Sequence, residues 1–253
     1  MSINPNHHDY FRVAEMYDSL ASYYKYVDPN KYIAYYQRHL QYINMATHSM
    51  HNFELQEQQR MAAQQAKVRF VHASYNASNV DVYINGIRVL KDFANKDVSN
   101  YLALSAGKYQ IDVYPAGNMV STVLSRKIIV EQGKVYSFFI TGEVKNVKWL
   151  ALEDDYRIPR GETKVRFVHL SHDAPPVDIA VKNRDVLFSA LAFRKNTDYL
   201  VLSPMTVDLE ARIAGTNDIA LSIPQVQLMP NKVYSILIVG PASNEQKLEA
   251  VII

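Results

Sequence analysis

The sequence predicts a mainly β protein with an α-helical N-terminal segment. Three observations point there: a block of eight residues that returns once, period-two alternation of apolar side chains within each copy, and a leading stretch of 66 residues without glycine. All 8 glycines follow that stretch, whereas 9 of the 18 tyrosines and 5 of the 8 histidines fall inside it. Glycine supplies positive φ in tight turns, so its absence and later regular return mark a change from helix to turn-rich β structure.

Two helices fit the leading segment. Over residues 9–27, Tyr10, Val13, Tyr17, Leu20, Ala21 and Tyr24 recur at helical spacing. Asp28-Pro29 then reads as an N-cap followed by proline at the first helical position. A second helix follows, with Ile33, Tyr36, Leu40, Ile43, Thr47 and Met50 at alternating steps of three and four, and runs on into the Gln-rich residues 56–65. At 1.5 Å per residue such a helix reaches about 50 Å, so it must project, fold back on the first helix or pair with another chain. A helical hairpin over residues 1–66 is the first expectation and self-association the second. Nine tyrosines exceed what one small helical core absorbs, and tyrosine gives rigid contact area with a polar tip. Tyr32, Tyr35, Tyr36 and Tyr42 are therefore the candidate assembly surface. His48 and His51 share a helical face but read as solvated polar residues, and His7-His8 as a tail.

The strongest signal is the repeat. Lys67-Val68-Arg69-Phe70-Val71-His72-Ala73-Ser74 returns as Lys164-Val165-Arg166-Phe167-Val168-His169-Leu170-Ser171. Val80-Asp81-Val82 returns as Val177-Asp178-Ile179, Tyr101-Leu102-Ala103-Leu104-Ser105 as Tyr199-Leu200-Val201-Leu202-Ser203, and Lys134-Val135-Tyr136-Ser137 as Lys232-Val233-Tyr234-Ser235. Between the first blocks and the last the offset drifts by one residue, the mark of loop-length variation between homologous domains. Within a copy, Val68, Phe70 and His72 alternate with Arg69 and Val71, and Asn85-Gly86 separates two apolar runs as a hairpin turn. Seven or so short strands per copy, punctuated by Ala106-Gly107, Ala116-Gly117-Asn118 and Gln132-Gly133, indicate an antiparallel sandwich of immunoglobulin-like or transthyretin-like build. The expected organisation is residues 1–66 helical, 67–152 first sandwich, 153–163 linker and 164–253 second sandwich. The short linker keeps the two sandwiches close.

The segment from Val165 through His169, His172, Asp173, Ala174, Pro175 and Pro176 to Ile179 resembles the opening of the domain-of-unknown-function 4397 family. The first copy resembles it through residues 68–81 and the Asn85-Gly86 turn, and departs at Tyr75-Asn76-Ala77-Ser78. The resemblance covers residues 67–253 and implies a β-sandwich in a bacterial surface or envelope setting, without implying a reaction.

Composition narrows the function classes. With 48% hydrophobic residues the chain can bury real cores, and a formal net charge of +2 gives no electrostatic footing for nucleic acid. Disulfides and thiolate metal sites are excluded by the lack of cysteine. No run of about 18 apolar residues is present, so no membrane insertion as a helix is expected. The first residues lack the basic and apolar regions of a secretory signal, so synthesis in the cytoplasm is expected, with incorporation into a cell or spore surface assembly. The richness in Tyr, His, Gln and Met of residues 1–66 resembles that of spore-coat proteins. No Gly-x-Ser-x-Gly elbow, phosphate-binding glycine loop or His-Glu-x-x-His is found, and no enzyme or cofactor is expected. His72 and His169 stand at the same place in both copies, followed at the same distance by Asp81 and Asp178. A repeated pair of this kind suits fold determinants better than catalysis. His172-Asp173, present in the second copy alone, makes His169, His172, Asp173 and Asp178 the candidate ligand loop, with a cell-wall glycan as the alternative partner.

Overall fold

The computed structural model describes residues 7–75, 77–143, 146–242 and 247–253, the side chains at 62 and 63 excepted. Met1 to Asn6, read for a leader sequence, and Asn76 of the divergent Tyr75–Ser78 run lie outside the described residues. The chain forms two compact units, Met1–Gln64 and Gln65–Ile253.

The first unit is a helical hairpin, α1 (His7–Tyr24) and α2 (Pro29–Gln64). Asp28 caps α2 as its residue type predicts: Oδ1 accepts from the backbone N–H groups of Asn30 (3.1 Å) and Lys31 (3.2 Å), two of the donors that a helix start leaves unpaired. Tyrosines seven apart interleave between the helices. Tyr17 stacks on Tyr35 and Tyr42 with centroids 6.2 and 5.5 Å apart, Tyr10 meets Tyr42, and Tyr24 meets Tyr35. Ala14, Ala21 and Ala46 are fully buried, and the His39 ring donates from Nδ1 to the Ala14 carbonyl at 3.0 Å.

The second unit holds two sandwiches of eight strands each, one more than the spacing suggested. The first comprises β1 (Ala66–Tyr75), β2 (Val80–Ile84), β3 (Ile87–Phe93), β4 (Leu102–Leu104), β5 (Gly107–Pro115), β6 (Leu124–Val130), β7 (Val135–Glu143) and β8 (Asn146–Asp154). The second repeats them as β9 (Thr163–His169), β10 (Val177–Val181), β11 (Val186–Leu191), β12 (Leu200–Leu202), β13 (Met205–Ile213), β14 (Ile219–Leu228), β15 (Val233–Val239) and β16 (Glu249–Ile252). Sheet orders are β4-β1-β7-β8 with β3-β2-β5-β6, and β12-β9-β15-β16 with β11-β10-β13-β14. The expectation of purely antiparallel sheets is corrected at one pair in each sandwich: β1 runs parallel to β7, and β9 to β15. The reason is connectivity. Five strands intervene between the partners, so the chain can return in the same direction, which no hairpin allows.

Parallel pairing goes with burial on both faces, and β1, β7, β9 and β15 are buried almost throughout. Their alternate residues face two different cores. Phe70 and Phe138 point into the first sandwich, Phe167 and Ile236 into the second. The intervening Val71, Ala73 and Phe139 meet Val168, Leu170, Leu237 and Val239 in a third core, where the two sandwiches pack sheet to sheet. The unit is therefore four sheets deep with three cores. Their close approach follows from this shared face as well as from the short connection.

One end of the shared face is charged. Arg166 is buried (1% exposed) and donates from Nε to the Ser235 hydroxyl (2.9 Å), from Nη1 to the Glu153 carbonyl (2.9 Å) and from Nη2 to Asp154. Its counterpart Arg69 donates from Nε to the Ser137 hydroxyl (2.7 Å), with Nη2 3.6 Å from the other oxygen of Asp154. Ser137 and Tyr101 donate to that same oxygen at 2.6 and 2.9 Å. The guanidinium groups lie over the rings of Tyr101 (5.0 Å) and Tyr199 (4.8 Å). Burial, followed by the Asp154 charge, pushes the Tyr101 hydroxyl far above the ordinary phenol range, so it remains a donor. The expected linker is thus corrected at its start: Glu153 and Asp154 belong to β8, and Asp154 joins the sandwiches.

Deleting one member of such a cluster leaves an incompletely paired buried charge. Arg166→Ala is predicted to destabilise the second unit by about 3–5 kcal/mol in urea titrations, and Arg69→Ala, with its longer contact, by less.

Candidate functional site

The residues singled out in the second repeat surround the loop between β9 and β10, and local structure explains each. His169, at the end of β9, is completely buried, and its Nε2–H donates to the Pro175 carbonyl at 3.3 Å. In the first sandwich His72 is equally buried, but uses Nδ1–H, toward the Phe93 carbonyl at 3.1 Å. Burial holds both imidazoles below their ordinary pKa, outweighing the backbone hydrogen bonds that pull the other way. They are neutral groups closing the loops above their strands.

Asp178 serves the backbone. Its Oδ1 accepts from the N–H of Ala190 (2.7 Å) and its Oδ2 from that of Gly215 (2.9 Å). Asp81 repeats the arrangement with Asp92 (2.8 Å) and Gly117 (3.4 Å). Ala190 and Asp92 both have φ of 53°, next to register shifts between β10 and β11 and between β2 and β3. Each carboxylate thus pins a bulge whose backbone is otherwise unfavourable. The donated bonds from Ala190 and Gly215 keep Asp178 below the usual carboxylate range. At Asp81 burial opposes this, and the bonds from Asp92 and Gly117, with Arg88, prevail.

His172 and Asp173 lie where the sandwiches meet. The His172 ring stacks on Tyr75 with centroids 6.3 Å apart, and its Nε2 pairs with Glu143 at 2.8 Å, both partners belonging to the first sandwich. Asp173 accepts from the Ser171 hydroxyl and from the Ala242 N–H, and stands 3.9 Å from the other His172 nitrogen. Glu143 ends β7 beside Gly142, whose φ is +92° and where a Cβ would come 2.6 Å from the Asn146 carbonyl oxygen. The four candidate residues therefore do not converge on one point: His172 and Asp173 are neighbours, while His169 and Asp178 are engaged separately. Among the described residues no group of three His, Asp or Glu side chains is placed to hold a metal ion. Chemically the loop is a latch, an imidazole–carboxylate pair with an aromatic stack, spanning two sandwiches.

The assembly tyrosines divide. Tyr35 and Tyr42 are taken up between α1 and α2, a correction caused by the seven-residue spacing that interleaves them with Tyr10, Tyr17 and Tyr24. Tyr32 and Tyr36 stack on each other, and Tyr36 is exposed. On α2, Ile33, Tyr36, Leu40 and Met50 lie beside the tyrosines that meet α1 and are between 42% and 52% exposed. Sequence reasoning missed Arg69, Asp154 and Arg166. The signal was present, since an arginine stands between apolar neighbours at the same place in both copies of the repeated block.

The buried histidines generate a pH dependence. Their folded-state pKa is depressed, so the unfolded chain takes up protons first as pH falls below about 6.5. Stability is full above that value and is lost progressively as pH drops toward the folded-state pKa. Urea midpoints measured at pH 7.5 and pH 5 should fall with acidity in the native chain, and the fall should shrink in His72→Gln and His169→Gln variants.

The model of the family described as Domain of unknown function (DUF4397) matches residues 66–180, the whole first sandwich and the second as far as β10. No curated protein matches the chain. Among solved structures, the C-terminal domain of AlgF from P. aeruginosa is 17% identical over 36% of this chain and 99% of its own, with a TM-score of 0.29. The Bacillus anthracis TIE protein is 10% identical over 70% of this chain and 34% of its own, with a TM-score of 0.24. A family CBM26 module of Eubacterium rectale Amy13K, solved in complex with maltoheptaose, is 7% identical over 75% of this chain and 96% of its own, with a TM-score of 0.23. Likeness at this level carries no argument about ligands. The family match stands by itself: over residues 66–180 the chain is similar to the DUF4397 family, the one its repeated segment resembles.

Proposed function

We propose that this chain is a non-enzymatic structural or adhesive protein of a bacterial cell or spore surface assembly. In this reading the helical hairpin self-associates and displays the joined pair of sandwiches. One observation carries it: the most regular apolar stripe of α2, with Ile33, Tyr36, Leu40 and Met50, is the face that α1 leaves exposed. Alternating steps of three and four are the spacing of a coiled-coil seam, and a seam left open in one chain is completed by the same seam of a second. Gln37, Asn44 and His51, which flank it, carry no fixed charge that would repel a second copy.

The non-enzymatic part of the reading is supported by the engagement of His169 and Asp178 with backbone groups in their own loops. A glycan-binding role for the loop around His172 draws less support, because Asp173 and His172 already have partners within the chain.

Light scattering on the full chain tests the proposal. It predicts a dimer or larger species at micromolar concentration, a monomer for Leu40→Glu with unchanged helical circular dichroism, and a monomer for a chain beginning at Gln65. A monomeric native chain, or a Leu40→Glu variant as large as the native one, would contradict it.

A further inference from the structure

The two sandwiches share their strand order but not their filling. In the second, the space between the sheets opens into a cavity of about 220 Å³ whose wall is made by apolar side chains alone, among them Phe167, Leu187, Leu200, Met205, Val207 and Leu228. Leu187 and Met205 are 39% and 43% exposed, which places the mouth of the cavity at this end of the sandwich.

The first sandwich serves as an internal control. Val207 pairs with Val226 across β13 and β14, and at the same register of β5 and β6 Tyr109 pairs with Ile128. Tyr109 therefore stands where the second copy has Val207. Its ring packs against the first core, and its hydroxyl is anchored on the Ser105 carbonyl at 2.8 Å. Valine in place of tyrosine removes five side-chain heavy atoms net at this position, and Leu228, standing where the first copy has Val130, returns one of them. Met205, facing Leu228 where Gly107 faces Val130, stays partly in solvent and does not fold inward to fill the remaining space.

We infer that the second sandwich carries a binding site for an uncharged apolar group about the size of a substituted benzene ring or a branched alkyl chain. The chemistry of the wall sets this class. A cavity of about 150 Å³ lined by aliphatic and aromatic side chains stays dry and accepts benzene, so a larger one of the same character holds a ring with a substituent. A sugar ring or a charged group is excluded, since its polar atoms would be buried without partners. The site is separate from the helical seam and from the His172 latch, so it does not depend on either.

The test uses the full chain with methyl-labelled Leu, Val and Met, toluene as the probe and glucose as the polar control. Saturable shifts are expected at the methyls of Leu200, Leu202, Met205 and Val207 and not at Leu102 and Leu104 of the first sandwich. At about five times its Kd, toluene should raise the unfolding temperature by roughly 2–4 °C. Val207→Tyr, which restores the filling of the first copy, should abolish both responses. Shifts that do not saturate, that appear equally in the first sandwich, or that persist in Val207→Tyr would overturn the inference. So would an equal response to glucose. If Val207→Tyr fails to fold, the methyl map of the native chain still decides the matter.

Discussion

The second unit depends on one carboxylate shared by two arginines. Asp154 sits at the end of β8, buried, with Arg166 of the second sandwich on one oxygen and Arg69, Ser137 and Tyr101 of the first around the other. Two guanidinium groups this deep would oppose folding if left alone, because desolvation of each ion costs several kcal/mol. Arg69 finds its partners within the first sandwich, whereas Arg166 reaches Asp154 and the Glu153 carbonyl only when both sandwiches are in place. The apolar contacts beside it, Val71 and Phe139 against Val168 and Leu237, supply the driving force, and the charged cluster sets the alignment. Around this seam lie further links from one sandwich to the other: Thr141 to the Leu170 carbonyl, Lys96 to Glu249, Arg194 to the Trp149 carbonyl and His172 to Glu143.

Most of this architecture is legible in the sequence because duplication writes it twice. The octapeptide at Lys67 and Lys164 locates the first strand of each sandwich, and the Asp81 and Asp178 pair locates the bulge that each carboxylate pins. What escapes is what a single strand cannot announce. The fully buried pattern of β1 and β9 differs little in sequence from a one-sided strand interrupted by arginine, and only the opposing sheet reveals that the arginine faces inward. The parallel pairing of β1 with β7 is likewise invisible locally, since it joins segments far apart in the chain. In α2 the periodicity was plain but its meaning was not. Two helical faces compete there, and interleaved tyrosines, rather than the more regular aliphatic stripe, meet α1.

Differences between the copies are therefore more informative about function than their identities. Shared residues such as His72 and His169 or Asp81 and Asp178 hold loops and bulges. At the divergent positions, Tyr75 stacks on His172 to latch the sandwiches, and Tyr109 gives way to Val207 to open a cavity. Ile140 faces Trp149 where Ile238 faces Ala250, a second place at which the later copy is lighter in aromatic volume. A tandem fold that keeps its frame while emptying one core is free to use that core for a ligand. The helical hairpin stands apart from this logic, for it has no counterpart in the repeat and leaves its most regular apolar stripe uncovered.

Joined by a shared core, the two sandwiches should behave as one body rather than as two domains on a tether. Differential scanning calorimetry of the full chain, with the calorimetric enthalpy compared with the van't Hoff enthalpy, tests this most directly. If the seam is as described, residues 65–253 unfold in a single transition whose two enthalpies agree, and Asp154→Ala lowers that transition as a whole or splits it. Two separate transitions within residues 65–253, with one of them unmoved by Asp154→Ala, would contradict it.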